Sequence, residues 1–125
     1  GVQVGWTITS DKHWKANIQP TTLGLDFIEK LNPVSYYRTN DEKQKTEYGF
    51  IAQDVQKTLI EFGDTNNGII SADDEGLLGM RYNDLFSPIV KAVQELNEKQ
   101  ESSVLSLQSA VSVEKMELRI EERKK

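Results

Sequence analysis

The chain has no cysteine and a single histidine. Without thiols there is no disulfide staple and no thiolate metal site, and one imidazole cannot build a multi-histidine centre within one chain. No metal and no cofactor is expected. No apolar run approaches the roughly 18 residues that a membrane span needs. Residues 1–9 lack the basic start and continuous apolar stretch of a signal peptide. Positive charge is in deficit: 15 Lys and Arg stand against 20 Asp and Glu, a net charge of −5. Such a surface repels nucleic acid phosphates and anionic lipid, so neither nucleic acid nor membrane is an expected partner. There is no glycine-rich phosphate loop. The acidic run Asp73-Asp74-Glu75 lacks the alternate-oxygen spacing and glycine of a calcium loop, and reads as a solvated turn.

What is present is one modest core with a large polar remainder. The 125 residues are 37% hydrophobic and 28% charged, enough for one domain of which part should depend on a partner. The chain opens Gly-Val-Gln-Val-Gly-Trp without an initiator methionine, and reads as a piece of a longer polypeptide. Val2, Val4, Trp6 and Ile8 alternate with polar or small residues, a strand pattern over 2–9. Residues 25, 27, 28 and 31 are apolar at helical spacing, with Thr21 or Thr22 as cap and Asn32-Pro33 as stop. Val34 to Arg38 reads as a strand, Thr39 to Thr46 as a charged turn, and Glu47 to Ala52 as the returning strand. A helix over Gln53 to Phe62 would turn Val55, Leu59 and Phe62 inward. After a loop at 63–68, Ile69 to Ser71 and Leu77 to Tyr82 flank the acidic turn as short strands.

From Asn83 onward the pattern is helical, with Asp84 or Ser87 as cap and Pro88 tolerated in the first turn. Leu85, Leu96, Leu107 and Leu118 recur every eleven residues; Val93 and Val104 follow the same period, and Ile89 and Val111 bracket Gln100 in a third row. An eleven-residue period gives a nearly straight or slightly right-handed apolar stripe. The stripe is narrow, and ordering each residue costs roughly 1–2 kcal/mol, which a lone helix of this kind cannot offset. The simpler alternative is a long helix lying on its own globular body. The reading preferred here is self-association in a bundle, with Gln100 weakening but specifying the seam. The expected class is α+β: mostly helical, with a short N-terminal strand, small β-hairpins and a long C-terminal helix that bundles in a homotrimer. Residues 1–9 would be the end of an upstream region or a cleavage strand, 10–84 a compact domain, and 85–125 the trimerisation helix, its charged tail prone to fray.

Candidate chemistry sits in Ser10-Asp11-Lys12-His13-Trp14-Lys15. A serine hydroxyl is a weak nucleophile until a base takes its proton, and a lysine with a lowered pKa can be that base. In an extended strand Ser10 and Lys15 would stand roughly 17 Å apart, so a turn, expected at Asp11, must fold them together. By spacing alone the pair reads as a cap serine and a surface lysine. Trp6 and Trp14 read as core or subunit contacts.

Four ordered blocks raise the weight of that pair. Ser10-Asp11-x-x-x-Lys15-x-Asn17-Ile18 resembles the signature of the intramolecular chaperone peptidases that end phage endosialidase tailspikes, tail fibres and neck appendages. Tyr48-Gly49-Phe50-Ile51-Ala52-Gln53-Asp54-Val55 is similar to that family's second block. Leu25 to Leu31 with Pro33-Val34-Ser35-Tyr36 resembles its helix and strand, and Arg81 to Leu85 with Pro88 to Leu96 its closing segment. The family often has a basic residue and a leucine ahead of the lysine, where this chain has His13 and Trp14. The resemblance implies a homotrimer that aligns an upstream fibre or tailspike region of the same polypeptide. It then implies a single self-cleavage near Ser10, with Ser10 as nucleophile and Lys15 as base. This would take place in the host cytoplasm during virion assembly, the released domain being absent from the mature virion.

The bond cut would be Thr9–Ser10 or Ser10–Asp11. Attack by Ser10 on the preceding carbonyl closes a five-membered ring, whereas attack on its own carbonyl would need four atoms. Cutting after Ser10 would therefore need another attacker, with Asp11 and Glu47 in reserve. Gln53 and Asp54 would open a helix whose free N–H groups suit an oxyanion, or would simply bond and cap. His13 would assist proton transfer or pack, and Asp11 would cap a turn. The hydroxyl and amine are expected to converge only when three subunits come together. A module of the same fold that assembles without cutting, and a coiled-coil adaptor, are the competing readings.

Overall fold

Residues 7–124 are described in a computed structural model. The chain forms an α+β fold: α1 (Leu25–Lys30), β1 (Val34–Tyr36), β2 (Glu47–Gly49), α2 (Ala52–Glu61), β3 (Ile70–Ala72), β4 (Leu78–Met80) and α3 (Phe86–Lys124). Single turns of 3-10 helix precede α1 at Lys12–Trp14 and α3 at Tyr82–Leu85. The strand expected over 2–9 lies largely outside the described residues, and its described part, 7–9, is in no strand. Among the described residues no helix is long and apolar enough to cross a membrane.

Each pair of strands is an antiparallel hairpin closed by one aspartate. In the first, Val34 faces Gly49 and Tyr36 faces Glu47; the Asp41 carboxylate accepts from the backbone N–H of Lys43 and Lys45. In the second, Ile70 faces Met80 and Ala72 faces Leu78; Asp73 accepts from the N–H of Glu75 and Leu77, while Gly76 takes the left-handed turn position at φ 83°. An aspartate that satisfies two turn N–H groups offers the backbone a local alternative to a longer ladder. The strands are accordingly shorter than expected, and Arg38 meets Glu47 through side chains beyond the end of β1.

The core gathers Phe27 from α1, Val55 and Leu59 from α2, Ile69 before β3, and Leu85 at the entry to α3. Phe62 closes over it, edge-on to Phe27 at 5.7 Å. The helical spacing of 55, 59 and 62 thus meets the apolar face of 25, 27 and 28, as amphipathic helices must.

Two caps differ from expectation. Neither Thr21 nor Thr22 caps α1. Its N-cap is Gly24, with no side-chain bond of its own, and the N–H of Leu25 donates to the Glu95 carboxylate of α3 at 3.2 Å. Any side chain at Gly24 would run into that carboxylate. A helix of six residues is tied in this way to an acidic group 70 positions later, which both bonds and electrostatically favours a helix start. Likewise the N-cap of α2 is Ile51, so Asp54 lies inside the first turn as a favourable charge.

α3 is entered without a side-chain cap by Asp84, which pairs instead with Arg81 at 3.2 Å. The preceding 3-10 turn takes up the first donor, Phe86 N–H bonding Asn83 O. Pro88 sits in the first turn, and Pro88 and Ala92 are buried where α3 packs on α1. Leu85 corrects the seam: it is 2% exposed within the chain's own core, so it cannot also meet a neighbouring subunit. The rest of the stripe is open. Ile89, Val93, Leu96, Val104, Leu107, Val111 and Leu118 are all exposed, as is Gln100, and every described residue beyond Leu96 is exposed.

Candidate functional site

A single turn brings the proposed nucleophile and base together. Asp11, in extended conformation, caps the 3-10 turn: its Oδ1 accepts from His13 N–H at 2.8 Å. The carbonyls of Asp11 and Lys12 take the N–H groups of Trp14 and Lys15 at 3.1 and 3.0 Å. The 3-10 turn folds its three residues compactly, and Lys15 leaves it extended. Its Nζ donates to Ser10 Oγ across 2.6 Å. This corrects the expectation that three subunits are needed for the two groups to converge. One chain does it, because the Asp11 carboxylate pins the backbone of the intervening turn.

The same carboxylate oxygen meets the His13 ring, Nδ1 to Oδ1 at 2.6 Å. The bonds from the His13 backbone N–H and then from its ring hold the Asp11 carboxyl below the usual carboxylate range. Asn17 turns the chain again, in the left-handed region at φ 52°, where asparagine is among the residues best tolerated.

The dyad segment carries no buried residue. Positions 7–20 are all exposed, with Trp14 at 83%. Trp14 is therefore no part of the chain's own core; Trp6 lies outside the described residues. Ile8 and Ile18 on the same arm are also left in water.

A cleft opens beside Ser10 and Lys15, its opposite wall made by Asn67, Gly68, Asn83, Asp84 and Ser87. Gly68 is fitted tightly there: a side chain would strike the Arg81 guanidinium, which Asp84 holds from the other side. None of these wall residues was singled out from the sequence for this site. They come from a loop, a 3-10 turn and the first turn of α3, more than fifty positions away; the block Arg81 to Leu85 was legible as a motif, but nothing in it pointed to this cleft.

The remaining candidates lie elsewhere. Glu47 is bonded to Arg38 at 3.0 Å on the first hairpin and does not line this cleft. Gln53, at the start of α2, lines a separate depression with Tyr36, Arg38 and Tyr82. The Asp54 carbonyl accepts from the Thr58 hydroxyl. The structure thus groups Ser10, Asp11, His13 and Lys15, and separates them from Glu47, Gln53 and Asp54.

No curated protein matches the chain. Residues 10–64 match a peptidase family model described as the chaperone of endosialidase. The match begins at Ser10 and ends just past α2, so it takes in the dyad turn, α1, the first hairpin and the second sequence block. Over that span, less than half of the chain, it is similar to the chaperone-of-endosialidase family.

Proposed function

We propose that this domain aligns three copies of an upstream fibre or tailspike region and then severs itself from it once, by attack of Ser10 with Lys15 as base. The observation that carries the reading is the 2.6 Å hydrogen bond from Lys15 to Ser10. It is a distance at which a neutral amine takes a hydroxyl proton. We take Thr9–Ser10 as the bond cut. Oγ attacks the Thr9 carbonyl carbon through a five-membered ring, the C–N bond breaks, and Lys15 relays the Oγ proton to the departing Ser10 nitrogen. An ester between Thr9 and Ser10 results, and water hydrolyses it. Asp11 would have to attack the next bond with Oδ2, since its Oδ1 accepts two hydrogen bonds from His13.

Assembly rests on α3. Its exposed stripe runs through Ile89, Val93, Leu96, Val104, Leu107, Val111 and Leu118. Removing half-exposed side chains of this size from water is worth about 1 kcal/mol or more each. A bundle of three such helices buries all of them around Gln100. Assembly also supplies what the site lacks in one chain. A lysine acts as base when water is taken away from it, and here the arm holding Ser10 and Lys15 is exposed throughout. Cutting then follows assembly, and removal of the helper makes assembly irreversible. The work would be done in the cytoplasm of the infected host, with the cut domain left out of the virion.

That exposure also favours a second reading, an assembly module that never cuts. A denaturing gel separates the two. A chain carrying its upstream sequence should resolve into two bands, and the Ser10→Ala chain into one. A wild-type chain that stays whole as a trimer retires the peptidase reading and leaves the assembly module.

A further inference from the structure

We propose that His13, oriented by Asp11, is the base that activates water for hydrolysis of the Thr9–Ser10 ester, the second half of the reaction. The inference rests on the self-cleavage reading above and assigns a separate residue to its later step. Three observations carry it. The His13 ring nitrogen Nδ1 lies 2.6 Å from Asp11 Oδ1. An ionised carboxylate only accepts, so Nδ1 is the protonated nitrogen and Nε2 carries the lone pair. The ring is 81% exposed at its side chain in the single chain, so none of the chain's own residues closes it off from water. And Lys15 is already bonded to Oγ, the oxygen that leaves in this step.

The division of labour follows from the proton balance. Water attacks the Thr9 carbonyl carbon and gives a proton to His13 Nε2. The bond from that carbon to Ser10 Oγ breaks, and Oγ takes a proton from Lys15, which has been protonated from solvent. The products are a Thr9 carboxylate and a domain beginning with a free Ser10 amine. One group cannot take a proton from the water and give one to Oγ at the same moment; two groups on one turn can. Asp11 is a positioning residue: it holds both the backbone of the turn and the imidazole tautomer.

The ring can be removed without dismantling the turn, because the cap uses the His13 backbone N–H. The test compares wild type, His13→Gln and Ser10→Ala in the chain with its upstream sequence, each with and without hydroxylamine at neutral pH, which cleaves esters quickly; Ser10→Ala controls for its slow attack at the Asn67–Gly68 bond, which gives fragments of other sizes. In plain buffer His13→Gln should release product at least about a hundredfold more slowly than wild type, the usual effect of losing a general base. With hydroxylamine it should be cut at close to the wild-type rate, since ester formation is intact. Added imidazole should restore part of the lost hydrolysis. Release by His13→Gln at the wild-type rate in plain buffer would overturn the inference and leave the self-cleavage reading standing. So would a His13→Gln chain that hydroxylamine cannot cut, since His13 would then serve the first step or the turn itself. A wild-type chain whose behaviour equals that of Ser10→Ala would overturn both.

Discussion

Replacing Lys15 with alanine should slow self-cleavage by about 10²- to 10⁴-fold while leaving the fold intact. The magnitude is what a general base contributes. The fold should survive because Lys15 is exposed and its side chain bonds only Ser10 among the described residues. Lys15→Arg should be as inactive as Lys15→Ala. A guanidinium keeps its charge and could still hydrogen-bond Oγ, but it does not give up its proton to become a base. The pair of variants therefore separates proton transfer from simple positioning. Rates come from band intensities on a denaturing gel over time, and melting curves check the fold. Cutting by Lys15→Arg at a rate near wild type would mean that Lys15 only orients the hydroxyl.

A second large effect is expected at the seam. Leu107→Asp should convert the assembly to single folded chains. Within one chain Leu107 is 66% exposed, so the monomer should lose little, as for surface substitutions generally. In a bundle the change removes an apolar side chain from each of three helices and sets three carboxylates at the axis. Lost burial of about 1.5–3 kcal/mol for each of the three leucines, with the cost of burying charge added, predicts a dissociation constant raised by at least about 10⁴-fold. Sedimentation equilibrium reads this directly. A Leu107→Asp chain that stays trimeric at micromolar concentration would place the association elsewhere. If assembly is also what shields Lys15 from water, the same variant should cut slowly although its dyad is untouched.

Much of the body could be read from local pattern. Val55 and Leu59 are buried where the helical period put them, and the hairpin over 34–49 follows from a β-branched and aromatic run, a charged turn and a second run. What escaped the sequence is what depends on distant partners. The cap of α1 comes from Glu95, 70 residues later, so no inspection of residues 20–25 could find it. Leu85 begins a row of leucines at intervals of eleven, yet it is in the core and Leu96 is not. A period reports that residues share a face, and cannot report whether that face meets the chain's own body or another copy.

The site was legible in a different way. The resemblance singled out Ser10 and Lys15, but spacing alone left them up to roughly 17 Å apart. The missing information was the short-range chemistry of Asp11, whose carboxylate takes two donors from His13 and fixes the turn between them. Glu47 was offered by residue type, and Gln53 by its place at a helix start. Their own elements carry them to Arg38 and to a separate depression. The cleft wall at Asn67 and Asp84 is set by how two loops meet across the core.

The central claim is that the Ser10 hydroxyl, activated by Lys15 in its own chain, attacks the carbonyl just before it. Mass spectrometry of the released C-terminal piece measures this most directly. The account predicts a fragment whose first residue is Ser10, with an intact free amine. A fragment beginning at Asp11, or a trimer that retains every residue through Thr9 and Ser10, would contradict it.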